Sequence, residues 1–186
     1  QANKIDGGTP LYKACEKDHV RSVKALLAAD GIDVNRANID GSTPLSIACQ
    51  NDNIRSVRLL LAKEGIRVNQ ATHDDATTNY SSDGRYVAEP CPFQSVTPLR
   101  IAAQYGRLDV VRVLVEQDGI DLDKPGKSNK KVSFESPLQV ARRFGHEAIV
   151  KVLLAAGAKD DEAVDDASTA AEETNEVRGK REEIIE

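Results

Sequence analysis

Thr43-Pro44-Leu45-Ser46-Ile47-Ala48-Cys49, followed after a short break by Ile54-Arg55-Ser56-Val57-Arg58-Leu59-Leu60-Leu61, occurs with variation four times along the chain. Thr9-Pro10-Leu11 leads to Ala14 and then to Val23, Leu26 and Leu27. Thr97-Pro98-Leu99 leads to Ala102, Val111, Leu114 and Val115, and Ser136-Pro137-Leu138 leads to Ala141, Val150, Leu153 and Leu154. In every copy the valine stands 14 residues after the Thr or Ser. The copies begin at 9, 43, 97 and 136, intervals of 34, 54 and 39 residues. A unit of this length, repeated, is the mark of a stacked array rather than a conventional globule.

Each unit is readable as two short helices. The Thr or Ser hydroxyl can accept from a free amide of the first turn, and the proline after it occupies the position where a missing N–H costs nothing. Leu and Ala then recur at helical spacing. Asp18, Asp52, Gly106 and Gly145 follow, residues suited to a left-handed backbone that ends a helix. The second helix carries Val23, Leu26 and Leu27, or their counterparts, on one face, and closes before Gly31, Gly65, Gly119 and Gly157. Two helices this short cannot bury their apolar faces alone, so neighbouring units must stack.

The Thr-Pro-Leu-x-x-Ala motif, the Val-x-x-Leu-Leu helix and the closing glycine resemble the ankyrin repeat over residues 3 to 158. The resemblance implies an all-α solenoid of four helix-turn-helix units joined by hairpin-like fingers. The expected domain covers residues 1–158, with repeats at 7–40, 41–95, 96–135 and 136–158, an insertion at 70–95, and an acidic tail over 159–186. The chain departs from the family pattern in three ways. Tyr12, Ser46, Arg100 and Gln139 replace the usual histidine, the first three units carry one extra residue before the closing glycine, and two connections are lengthened.

Composition narrows the function classes. Aromatics are scarce, at 4 %, and Met and Trp are absent, which suits a core of small aliphatics. No apolar run approaches the roughly 18 residues of a membrane span. Cys15 and Cys49 share one register, just after the helical alanine, where small buried packing is expected. Cys91 falls in a connection, and the three cysteines form no disulfide or zinc pattern, so a reducing compartment is expected, the cytoplasm with the nucleus as alternative. The net charge is −5, but residues 159–186 hold 11 acidic and four basic side chains, leaving the repeats about +2. That is not the footprint of a nucleic-acid binder.

The connections differ. Residues 3–9 match residues 37–43, so the chain opens inside a finger; a further repeat upstream is expected, against the alternative of a natural cap supported by Lys13 at a core register. Asp40-Gly41 signals a tight turn. The second connection carries Tyr80, Tyr86 and Phe93 among turn-forming residues, and the third is rich in lysine: Lys124, Lys127, Lys130 and Lys131. Insertions in repeat proteins gather on one face, often the binding face. Arg142, where the other units have Cys15, Cys49 and Ala103, reads as the polar outer face of a terminal unit. Beyond Lys159 the pattern stops, and a mostly disordered or frayed-helical tail is expected.

No catalytic constellation can be assembled. His19, His73 and His146 lie far apart in register, and no phosphate loop is present. No cofactor and no metal are expected. The resemblance implies instead a partner protein bound by a rigid rack, no nucleic acid or membrane, and a monomer. The surface it implies runs along the first helices: Tyr12, Glu16 and Lys17, then Ser46, Gln50 and Asn51, then Arg100, Gln104 and Tyr105, then Gln139 and Arg143. Arg36, Asn38, Ile39 and Asp40 add a finger; Tyr80, Tyr86, Phe93, Lys130 and Lys131 add the lengthened connections. Asn35 and Asn69, each eight residues after Leu27 and Leu61, resemble ankyrin asparagines hydroxylated by an oxygen-sensing dioxygenase, with a purely structural role as the alternative. A second reading makes the protein regulatory or inhibitory, its acidic tail competing for the rack.

Overall fold

A computed structural model describes residues 7–39, 41–72, 96–127 and 134–160. The expected helix pairs are present: α1 (Pro10–Glu16) with α2 (Val20–Leu27), α3 (Pro44–Gln50) with α4 (Ile54–Leu61), α5 (Pro98–Gln104) with α6 (Leu108–Val115), and α7 (Pro137–Arg143) with α8 (Glu147–Ala155). They start where the cap residues dictate. Thr9, Thr43, Thr97 and Ser136 each accept a hydrogen bond from the amide three residues on, at 3.1, 3.1, 3.3 and 3.2 Å. They stop at residues 18, 52, 106 and 145, whose φ values are 50, 61, 71 and 72°. In every unit the following amide then reaches back to the carbonyl of the register alanine, Ala14, Ala48, Ala102 or Ala141, at 2.9 to 3.0 Å. This is the six-to-one bond of a Schellman ending, and it turns the second helix back beside the first.

The pairs stack in one direction. First helices pack in the order α1, α3, α5, α7 and second helices in the order α2, α4, α6, α8. The core is the repeated apolar set: Leu11, Leu45, Leu99 and Leu138 with Val23, Val57 and Val111 are almost wholly enclosed, as are Leu60, Leu114 and Leu153. Leu26, on the outer side of the first unit, is only partly covered. Removing a fully enclosed leucine from such a core costs about 2–5 kcal/mol. Cys15 and Cys49 are buried free thiols within it. Burial first, with the Asp18 charge second, pushes the Cys15 thiol up to about 12, and burial raises Cys49 as well. Neither is a nucleophile in the folded chain.

The fingers close at their bases. In the first, Asn38 accepts from the Gly41 amide, donates its own amide to the Ser42 carbonyl, and receives the Ser42 amide on its side-chain oxygen. In the second, the Thr72 amide donates to the Val96 carbonyl at 3.1 Å and the Val96 amide to the Thr72 hydroxyl at 3.2 Å. The third carries a two-residue antiparallel ladder, β1 (Gly126–Lys127) against β2 (Phe134–Glu135). Asp40, Tyr80, Tyr86, Phe93, Lys130 and Lys131, the opening residues 1–6 and the tail beyond Asp160 lie outside the described residues. At the outer side of the last unit Arg142 is exposed and pairs with Asp160 at 2.6 Å. That bond from Arg142 holds the Asp160 carboxyl below its usual range.

Candidate protein-binding surface

The ends of the first helices are held by a repeated side-chain clasp. The residue after each turn reaches back one unit to the last carbonyl of the preceding first helix. Asn53 donates to the Glu16 carbonyl at 3.1 Å and to Cys15 at 2.7 Å, Arg107 donates to Gln50 at 3.0 Å, and a His146 ring nitrogen pairs with the Gln104 carbonyl at 3.2 Å. Glu16, Gln50 and Gln104 occupy one register, so three unlike residues do one job. Open carbonyls at a helix end need such partners. Asn51 adds a second donor to Glu16.

A matching clasp runs along the closing loops. Asn35 donates its amide to the Gly65 carbonyl at 2.8 Å and accepts from the Arg67 amide at 2.9 Å. Asn69 does the same one unit on, with Gly119 at 2.7 Å and Asp121 at 3.0 Å. Both polar ends of each asparagine are thus engaged in joining units. The corresponding Asp123 keeps only the acceptor half, to the Lys159 amide. These contacts give the two asparagines a structural role.

Four of the expected surface residues are corrected by burial. Ser46 is 1 % exposed, Arg100 2 %, Tyr12 6 % and Asn38 8 %. The position after Pro-Leu looks outward on an isolated helix, but in the array it lies under neighbouring chain. Ser46 is spent on its own helix, its hydroxyl accepting from the Thr43 amide at 2.7 Å to complete a capping box. Gln139, partly exposed, does likewise for Ser136. Asn38 is occupied by the turn it closes.

Arg100 is the exception in kind, a cation sealed inside the rack. Its Nε donates to the Glu135 carbonyl at 3.0 Å, its Nη1 to Gln104 at 3.3 Å, and its Nη2 faces the Glu135 carboxylate at 3.5 Å. Arg143 grips the same carboxylate from the other side, through Nε and Nη2, both at 2.8 Å. Burial lowers the Arg100 pKa, Glu135 opposes that, and Arg143 adds to the lowering. The cluster welds the third finger to α5 and α7, with two cations on one anion. A buried charge is tolerable only when paired and hydrogen-bonded in this way.

What remains partly or fully exposed is the row where each first helix ends: Glu16 and Lys17, Gln50 and Asn51, Gln104 and Tyr105, Arg143 and Phe144, with Lys17, Asn51, Arg143 and Phe144 the most open. Its character changes along the stack. In the first unit Lys13 and Lys17 flank Glu16, at 3.4 and 3.9 Å, and the middle is a run of amides. The last unit ends in Phe144, 47 % exposed, with the Arg143 guanidinium 4.6 Å from its ring centre and the His146 ring stacked at 6.2 Å. Sequence reasoning missed Phe144, although its register, shared with Lys17, Asn51 and Tyr105, was enough to find it. Arg36 and Ile39, on the first finger, are exposed. Among the described residues no group of His, Cys, Asp and Glu could hold a metal ion, and no helix is long and apolar enough to cross a membrane.

A family model described as ankyrin repeats (3 copies) matches residues 1–72 and 85–165. A search of curated proteins finds no match.

Proposed function

The chain belongs to the ankyrin-repeat family, whose repeats are generally protein–protein interaction modules, and from that premise we propose that it is an adaptor or scaffold that binds a partner protein along the ends of its first helices. The reading includes no catalytic step, and it places the protein in a reducing compartment, the cytoplasm, as a monomer. The observation that carries it is the exposed Arg143–Phe144 pair with Tyr105 one unit away. Aromatic and arginine side chains dominate the energetics of protein interfaces, and among the described residues the other exposed large apolar groups are Ile39 and Leu154.

The rack is held by the clasps before any partner arrives, so little ordering entropy is lost on association. The aromatic end supplies apolar area, the amides of Gln50, Asn51 and Gln104 supply hydrogen bonds suited to an extended backbone, and Arg143 retains free donors for a carboxylate. Arg100 contributes by fixing this surface, not by touching the partner.

The test is a partner screen by proximity labelling with the wild type and with Phe144→Ser plus Tyr105→Ser. Because both side chains are at least partly exposed, the double variant keeps its melting temperature within a few degrees, while partner association falls at least about tenfold, as expected for anchors worth about 1–2 kcal/mol each. An unchanged partner set at full stability places the binding surface elsewhere.

A further inference from the structure

The second helices carry a surface that the proposed binding row does not use. On α2 Arg21 and Lys24 stand three residues apart, and on α4 Arg55 and Arg58 stand at the same two registers. All four are exposed, and among the described residues none forms an ion pair or a side-chain hydrogen bond. Residues three apart on a helix have Cβ atoms about 5–6 Å from each other, and packed helices lie about 8–10 Å apart. The four cations therefore form one compact block on the first two units. The block ends there. In the third unit the same registers hold Asp109 and Arg112, with Glu116 four residues further on, and in the fourth they hold Ala148 and Lys151.

That boundary selects among anionic occupants. A nucleic-acid duplex or an anionic membrane would lie along the whole stack and meet Asp109 and Glu116. A short acidic polypeptide segment would not need to. The chain itself carries one. Residues 161–186 hold ten acidic and three basic side chains, in clusters at 161–166, 172–176 and 182–186. They follow Asp160, which pairs with Arg142 of α7 at the outer end of the stack, and from that end the second helices lie in the order α8, α6, α4, α2. At about 8–10 Å per helix, α4 is roughly 16–20 Å from α8 and α2 roughly 24–30 Å. A flexible chain spans about 5–6 Å times the square root of its length. A tether of that kind as long as the stretch from Asp160 to 172–176 would span about 20 Å, and one as long as the stretch to 182–186 about 28 Å. Intramolecular association is strongest when the r.m.s. reach of the tether matches the span.

We propose that residues 161–186 dock across the second-helix face, with the cluster 172–176 against Arg55 and Arg58 and the cluster 182–186 against Arg21 and Lys24. Single exposed ion pairs are weak and screened by salt. The association is therefore collective and reversible, and it leaves the row at Tyr105 and Phe144 open.

Lys24 makes the proposal testable in the full chain. A zero-length carbodiimide cross-link joins its amine to a carboxylate only on contact, and mass spectrometry locates the partner. At about 20 mM salt, Lys24 links to Glu182, Glu183 or Glu186, and an equal mixture of isotope-labelled and unlabelled protein shows the link within single chains. The yield falls about tenfold or more at about 0.5 M salt, where the Debye length is near 4 Å, and likewise in the Arg21→Gln, Arg55→Gln, Arg58→Gln variant. Should that variant fold poorly, the salt series on the wild type stands alone. Links from the acidic segment to Lys151 or to Lys124–Lys131 with none to Lys24, links between differently labelled chains, or a yield indifferent to salt would each overturn the proposal.

Discussion

Gly106 answers two demands at once. Its φ is +71°, and a Cβ placed there would lie 2.8 Å from the His146 ring. Asp18 and Asp52 hold the same backbone with a side chain, a conformation aspartate tolerates. Asp18 has an occupation as well, accepting from the Ser56 hydroxyl at 2.7 Å. The ring in the next unit is what separates the sites. Gly106→Ala therefore loses about 1–2 kcal/mol to the left-handed backbone and a further amount to displacement of His146, which gives up its Gln104 contact. In a His146→Ala background only the first loss remains. Urea denaturation of the four proteins measures the difference; equal losses in both backgrounds would show that the ring is no obstacle. The identity of residue 106 as a turn residue was legible from its register. The obstacle was not, because it depends on a neighbour 40 positions away.

At the scale of the element the division is the same. The N-caps, the prolines, the turn residues and the apolar stripes are local, and each helix starts and stops where those residues require. What lay beyond the sequence was the use of the outward positions. Tyr12, Ser46 and Arg100 look like display residues on a lone helix and are enclosed once fingers and neighbours assemble. The clasps at Asn53 and Arg107 were unreadable for a related reason, since their acceptor is main chain, which has no sequence signature. Their removal is predictable. Arg107→Ala frees the carbonyl of Gln50, and Asn53→Ala takes a donor from the carbonyls of Cys15 and Glu16, the latter keeping Asn51; each costs about 0.5–1.5 kcal/mol. Hydrogen exchange should then quicken in the last turn of α3 or α1, the helix one unit earlier, rather than in the mutated helix. Exchange changes confined to α6 or α4 would contradict the clasp.

Among the described residues the helix pairs form a row in which each unit packs on the next, and that arrangement was the most legible feature of all, because it is written four times. Thr72 and Val96, on either side of the long second connection, bond to each other, and α3 packs on α5. Replacing residues 73–95 with a short turn should leave the melting temperature nearly unchanged or slightly raised, because the entropy of closing a loop varies by only about 0.6 kcal/mol per doubling of length. A large destabilisation, measured by calorimetry, would show that the connection packs against the rack.

The clasp has one more consequence. An asparagine, an arginine and a histidine occupy one register because each plugs the same socket, and the socket belongs to the backbone. Any long enough donor serves. The letters at this joint are therefore free to drift while the joint itself stays put, so the array can change its spelling without changing its shape.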